Sequence, residues 1–177
     1  MPRVGGWTPR RILALVLVAG LSLAIVAIPQ EQIEALQRLG YPGIFLLSLA
    51  ANATIVVPAP AILIVFAMGA HLSPVWLGLA AGSGAALGEL SGYLAGFGGQ
   101  AIVEENATYR RLAGWVQRHG SLAIFALALI PNPVFDLGGI AAGVLRMPVW
   151  RFLVSCWAGK VLRMMAVAAA GAGLFGQ

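Results

Sequence analysis

The sequence predicts an all-α integral membrane protein: three transmembrane helices plus two re-entrant helical hairpins arranged as inverted repeats, with amphipathic helices in the interface. Three observations carry that expectation. The 177 residues are 60% apolar and only 10% charged, against about 25% charge in a soluble domain, which leaves too few polar groups to coat a water-facing surface. With a mean hydropathy of +0.89, apolar runs of bilayer-spanning length alternate with short polar segments. Finally, sparse motifs recur in the same order in the two halves of the chain, so residues 1–177 are expected to form one membrane domain built on a duplication.

The elements follow in order. Arg10 and Arg11 precede an apolar stretch over 12–28. It is longer than the h-region of a signal peptide and no A-x-A site follows it, so it reads as the first transmembrane helix. The segment 30–39 is polar and amphipathic, with Ile33, Leu36 and Leu39 on one side, and is expected to lie in the interface. Residues 44–71 are nearly all apolar, but Asn52, Thr54 and the Pro58-Ala59-Pro60 triplet interrupt them. Two prolines so close break a helix, and the limbs 44–56 and 61–70 are each too short to cross about 30 Å at about 1.5 Å per residue. A re-entrant hairpin fits better than a kinked span. A full span is then expected over 74–98, and the polar stretch 100–120, with Tyr109, Leu112 and Val116 on one face, as a second interfacial helix.

The chain then repeats itself. Gln37-Arg38-x-Gly40-x-x-x-Ile44-Phe45 recurs as Gln117-Arg118-x-Gly120-x-x-x-Ile124-Phe125, Pro58-x-Pro60 as Pro131-x-Pro133, and Gly69-x4-Pro74-Val75-Trp76 as Gly143-x4-Pro148-Val149-Trp150. The repeats are 37–98 and 117–174. A hairpin returns to its own side, the following span crosses, and 100–120 does not cross, so the second hairpin enters from the opposite face and the repeats are inverted. On this count Arg3, Arg10, Arg11, Arg110, Arg111, Arg118, Arg146 and Arg151 share one face and Arg38 lies alone on the other, which makes the N-terminus cytoplasmic. The same scattering of basic residues between apolar spans argues against nucleic acid as the partner of this chain, whose net charge is +5.

Few polar groups remain inside the spans. Glu89, Lys160 and Arg163 lie within them, Asn52 and Thr54 in the first hairpin, and Asn132 and Asp136 in the second. Intramembrane ionisable groups are costly unless paired or wetted, so each is a functional candidate, against the alternative of an ion-pair set that locks the halves together. Glu89 and Arg163 occupy equivalent repeat positions, 74 residues apart, whereas Lys160 falls nearer the middle of its span and is the better partner for Glu89. Gly84, Gly88, Gly92 and Gly96 form a ridge that allows close helix approach. Tyr93, one turn beyond Glu89, either donates to it or fills space. Cys156 reads as a small core residue. His71 and His119 fall on opposite faces, so neither a His-based metal site nor a Ser-His-Asp set is expected; the reading is of a protein that is not an enzyme, with no cofactor and no metal. The glycosylation patterns at Asn52 and Asn106 read as accidental.

Gly88-Glu89-Leu90-Ser91-Gly92-Tyr93-Leu94-Ala95-Gly96, then Ile130-Pro131-Asn132-Pro133-Val134-Phe135-Asp136, then Ala142-Gly143 with Met147, Pro148 and Phe152 resemble the VTT domain of the DedA (SNARE-associated) family over roughly residues 37–170. The resemblance implies two re-entrant helices in inverted repeats, which the spacing indicates separately, and a link to lipid translocation: recycling of undecaprenyl phosphate in bacteria, scrambling in eukaryotes, and proton-dependent membrane homeostasis. The chain departs from the bacterial pattern. Many members carry an acid upstream of the first prolines, where Asn52 and Thr54 stand here, and two arginines around the second-hairpin proline, where Ala128 and Val134 stand.

The expected function is therefore that of a membrane lipid translocase, a flippase or scramblase-like transporter of an anionic phospholipid or polyprenyl phosphate, with proton coupling. Glu89 and Asp136 are the proton-coupling candidates. Asn52, Thr54, Asn132, Lys160 and Arg163 are the substrate-binding candidates, and Pro58, Pro60, Pro131 and Pro133 mark the hairpin breaks. The expected partners are membrane lipids and protons, with a homo-oligomer compatible, and the expected location is a bacterial-type inner membrane crossed several times. A proton-coupled carrier of a small solute and a non-transporting scaffold of membrane biogenesis are the alternatives. The solute carrier would enclose an aqueous cavity, and the scaffold would tolerate neutral isosteres at every buried charge.

Overall fold

The computed structural model describes residues 16, 39–53, 61–98, 107–130 and 135–175. All of the ordered elements among them are helices: α1 Tyr41–Ala53, α2 Ala61–Met68, α3 Pro74–Gly88, α4 Leu90–Gly98, α5 Ala107–His119, α6 Ser121–Leu129, α7 Phe135–Val144 and α8 Val149–Phe175. The first expected span, apart from Val16, the interfacial segment 30–38, and the residues Thr54, Pro58, Pro60, Pro131, Asn132 and Pro133 lie outside the described residues, as does the side chain of Asp136.

Helix α8 is the described helix long and apolar enough to cross a bilayer, over Val149–Leu174. Its 27 residues give about 40 Å of axial length, enough to cross about 30 Å of hydrocarbon with tilt. Its apolar side chains point outwards as well as inwards: Val154 is 58% exposed and Leu174 68%. Such a helix suits lipid as its solvent on the outer face. By contrast α1, α2, α6 and α7 have 13, 8, 9 and 10 residues, at most about 20 Å each, so none reaches across by itself.

The expected span over 74–98 is helical in two segments, α3 and α4, that meet at Glu89, whose backbone stays in the right-handed helical region. Pro74 opens α3 at a position where a missing N–H is harmless, but Glu89 stands as a turn between Gly88 and Leu90, its N–H directed to the carbonyls of Ala85 and Leu87. Glycine at 84, 88 and 92 gives this stretch the weakest intrinsic preference for helix after proline, yet the Glu89 N–H still donates to the Ala85 carbonyl at 3.2 Å. The ladder resumes at once, with Tyr93 N–H donating to the Glu89 carbonyl at 3.1 Å. In the polar stretch 100–120 the helix occupies Ala107–His119, with Arg110, Arg111 and Arg118 exposed and Val116 buried.

Helices α3 and α8 pack along one another at the centre; α1 lies on α3, α6 on α8, α2 on α8 and α7 on α4. Glycine makes these contacts possible. A Cβ at Gly78 would strike the backbone of Met165 and one at Gly82 that of Val161, which joins α3 to α8. The ridge seen in the sequence divides its work: Gly84 and Gly88 face α1, and Gly96 faces α7.

Many contacts occur twice. Gly84 meets Phe45 O and Leu49 N, and Gly159 meets Phe125 O and Leu129 N; Gly69 meets Ala168 O, and Gly143 meets Tyr93 O; Gly171 meets Phe66 O, and Gly96 meets Ile140 O. Gly40 and Gly120 share a left-handed backbone, φ +66° and +52°, at the entrances of α1 and α6, a conformation glycine adopts at no steric cost. Within the long helices the matching residues are 75 apart, as with Gly84 and Gly159, and not 74. The Pro-Val-Trp motifs align at 74, but α3 starts at Pro74 and α8 at Val149, a slip of one residue. The counterpart of Arg163 is consequently Gly88, and that of Glu89 is Met164.

Candidate functional site

Two apolar clusters fill the interior. One holds Ala86, Tyr93, Phe135, Phe152 and Cys156, the other Ile44, Leu47, Val65, Leu77, Ala81, Met164 and Ala168. Along α8, Cys156 belongs to the first cluster and Met164 to the second, each one turn from Lys160. The charged residues thus occupy the seam between the clusters. Glu89 is 3% exposed, Lys160 1% and Arg163 8%.

Lys160 Nζ makes an ion pair with Glu89 Oε1. It also donates to Asn52 Oδ1 at 2.5 Å, and it stands 4.7 Å from the centre of the Phe135 ring. An ammonium has three N–H donors and no acceptor, and a buried one is tolerable only if its charge and donors are met. Here a carboxylate, an amide oxygen and an aromatic face meet them. The groups come from four segments: Asn52 from the last turn of α1, Glu89 from the turn between α3 and α4, Phe135 from the first residue of α7, and Lys160 from α8.

Second contacts hold the first in place. Asn52 Nδ2 donates to the Ser48 carbonyl at 2.8 Å, which orients its Oδ1 towards Lys160. Gly139 of α7 stands beside Glu89, a Cβ there being in ordinary contact with Oε2 at 3.7 Å. The Ser48 hydroxyl, one turn from Asn52, is buried with no hydrogen-bond partner among the described residues.

Of the sequence candidates, the structure brings Lys160 into contact with both Asn52 and Glu89. Arg163 follows three residues on, is buried, and is also engaged in an interaction. Tyr93 neither donates to Glu89 nor merely fills space: its hydroxyl donates to the Met147 carbonyl at 2.6 Å, and its ring lies 5.2 Å from that of Phe152. Phe135 and Ser48 were not legible as site residues. An aromatic residue beside Asp136 looks like any core residue until the fold sets its ring against Lys160.

At the crossing of α3 and α8, Trp157 Nε1 donates to Ser83 Oγ at 2.9 Å. Ala86, Leu87, Leu153 and Val154 line a shallow apolar groove of about 300 Å³ around that pair. No group of three or more metal-ligating side chains occurs among the described residues.

The family model for the VTT domain matches residues 57–173. The chain is similar to vacuole membrane protein 1 of Homo sapiens, 42% identical over 52 residues, which is 29% of this chain and 13% of that protein. The vacuole membrane protein 1 homolog of Dictyostelium discoideum is 44% identical over 43 residues, 24% of this chain and 11% of the relative. The vacuole membrane protein KMS1 of Arabidopsis thaliana is 34% identical over 56 residues, 29% of this chain and 14% of the relative. The matched stretches are thus a small part of each relative's length. No solved structure matches the chain.

Proposed function

The chain belongs to the VTT-domain family of membrane proteins, and from that premise we propose that it is a lipid translocase that works without ATP and moves a phosphate-bearing membrane lipid, an anionic phospholipid or polyprenyl phosphate, between leaflets. One observation carries the reading: the buried Glu89–Lys160 pair, with Asn52, sits where the ends of α1 and α7 meet the two long helical segments. Buried charges at such a convergence of broken helices are where transporters bind cargo and coupling ions.

The chain crosses a bacterial-type inner membrane several times with its N-terminus cytoplasmic. Its halves, 37–98 and 117–174, are inverted repeats, and α1–α2 and α6–α7 are re-entrant hairpins. The paired glycine contacts and the shortness of these four helices support that topology. No covalent step is involved. The substrate is positioned and charge is exchanged: Lys160 and Arg163 draw the phosphate, and Glu89, released from Lys160, takes a proton. Asp136, one residue beyond Phe135, is the second proton candidate, and membrane lipids and protons are the partners.

The test is transport by the full chain reconstituted in liposomes that contain a fluorescent phospholipid or a polyprenyl phosphate, with and without a pH gradient. Transbilayer movement that responds to the gradient is the expected result. Protein-free rates for every lipid would defeat the reading.

A further inference from the structure

We propose that the loop between α7 and α8, together with the exposed face of α5, is a docking surface for anionic phospholipid head groups of the leaflet it faces, with Arg146 as its fixed phosphate contact. The surface lies apart from the buried Glu89–Lys160 pair and does not depend on what that pair does.

Helix α7 ends in a closed turn. Leu145 N–H donates to Ala141 O at 2.9 Å, Arg146 N–H to Gly143 O at 3.0 Å and Met147 N–H to Ala142 O at 3.0 Å. This is the bond pattern of a helix end whose closing residue is left-handed and is usually glycine. Here that residue is Arg146, with φ +52°, the one non-glycine in this conformation among the described residues. A Cβ is unfavourable there, so glycine would suit the turn better than arginine. The matching loop of the first half, 69–73, has Leu72 at the corresponding position and no left-handed residue. Joining a short helix to the next long one therefore requires neither an arginine nor this conformation. A backbone outlier kept against its cost points to the side chain it presents.

That side chain is held in place. The Met147 carbonyl next to it accepts the Tyr93 hydroxyl at 2.6 Å, which ties the loop to α4, and the Arg146 guanidinium stands 5.8 Å from the centre of the Phe97 ring. An aromatic face attracts the charge without using up N–H donors, and these remain for a phosphate, which a guanidinium grips in pairs. Arg151, in the first turn of α8, stands 5.2 Å from the centre of the Trp150 ring.

Charge and surroundings specify the ligand. Leu112 and Val116 of α5 pack on the same apolar cluster as Met147, so the exposed Arg110, Arg111 and Arg118 of α5 stand on the same half of the molecule as the loop. Between residues 107 and 151 the sequence holds five arginines and a single acid, Asp136. None of the five has an ion-pair partner among the described residues. Membrane topology asks only that basic residues collect on one side, and not that one of them occupy a left-handed turn beside an aromatic ring. Leu145, Val149 and Trp150 are exposed around Arg146 and Arg151. An anion with apolar chains satisfies both kinds of surface, and a tryptophan beside basic residues is at home at head-group depth. The partner is therefore a lipid and not free phosphate.

The experiment titrates phosphatidylglycerol, with phosphatidylcholine as the neutral control, into the full chain in dodecyl maltoside micelles and reads the midpoint of thermal unfolding. Phosphatidylglycerol should raise the midpoint and phosphatidylcholine should not. Arg146→Gly should unfold no earlier than wild type without added lipid, because glycine adopts the left-handed turn at no steric cost. It should need about fivefold more phosphatidylglycerol to reach half its shift, the effect of one arginine near an anionic surface. Arg146→Asn, which also tolerates that backbone, should behave alike. A residue that only packs on Phe97 would give the reverse, lower midpoints in both variants and wild-type titrations. Equal shifts by the two lipids, or wild-type titrations in both variants, would overturn the proposal. Failure of both variants to fold would overturn it too, by making Arg146 a structural residue.

Discussion

Backbone contacts made by glycine come in pairs across the two halves of the chain, whereas the Glu89–Lys160 pair has no charged residues at the equivalent positions of the other half. Gly84 and Gly159, Gly69 and Gly143, and Gly96 and Gly171 each press a helix against a neighbouring carbonyl in the same way. At the same register, Glu89 stands opposite Met164, Lys160 opposite Ala85, Arg163 opposite Gly88, and Ser48 of α1 opposite Ala128 of α6. Close helix approach is a property each half needs for itself, since helix association in lipid rests on van der Waals contact between small residues. Buried charge follows a different rule, because a second buried pair would add its own desolvation cost. The scaffold is thus twofold and the chemistry onefold.

The largest effect should come from removing the contact that is made once. Glu89→Gln keeps the side chain's shape and loses its titration, so the protein should remain folded and monodisperse while lipid movement in liposomes loses its dependence on pH. The opposite pattern would mark a static lock: a loss of about 3 to 5 kcal/mol in stability, because Lys160 is left without its counter-charge, and recovery in the double variant Glu89→Gln with Lys160→Met. Thermal unfolding in detergent and flux in liposomes, measured on the same preparations, separate the two.

The next effect tests the twofold part. Gly84→Ala and Gly159→Ala each drive a Cβ into a carbonyl of the neighbouring limb, Phe45 O and Phe125 O respectively. Each should cost about 1 to 3 kcal/mol by overpacking, and the two costs should be alike. At Gly114 of α5, nothing lies within 4 Å of where a Cβ would sit, so Gly114→Ala should go the other way, by up to about 1 kcal/mol of helix preference. A large difference between Gly84→Ala and Gly159→Ala would break the equivalence of the halves.

The twofold part was largely visible in the sequence, because glycine, proline and tryptophan at fixed spacing leave a pattern that survives in a background of Ala, Leu and Val. The short helices α1 and α6 begin just after Gly40 and Gly120, and α2 and α7 begin just after the proline pairs. The register was harder. Motifs align at 74 and helices pack at 75, since a motif marks where the chain turns and packing depends on where the next helix starts. The pairing of Glu89 with Lys160 was legible from the depth of each residue in its span, but Phe135 was not, because a ring's use against a cation depends on how α7 lies on the long helices.

The smallest effect lies within a single residue that belongs to both parts. The carbonyl of Tyr93 takes the close approach of Gly143, as the carbonyl of Ala168 takes that of Gly69, so the backbone of Tyr93 is twofold. Its side chain is onefold, since Ala168 has no hydroxyl with which to reach a loop. Tyr93→Phe should keep the Gly143 contact and the ring contact with Phe152, and should lose only the hydrogen bond to the Met147 carbonyl. In a membrane protein such a bond contributes about 0.6 kcal/mol, so the unfolding temperature should fall slightly. Lipid movement and its pH dependence should be unchanged, because the hydroxyl points to the loop between α7 and α8 and away from Glu89. A Tyr93→Phe protein that folds normally yet no longer responds to pH would place a proton on the tyrosine, and the chemistry would no longer be confined to Glu89, Lys160 and Asn52.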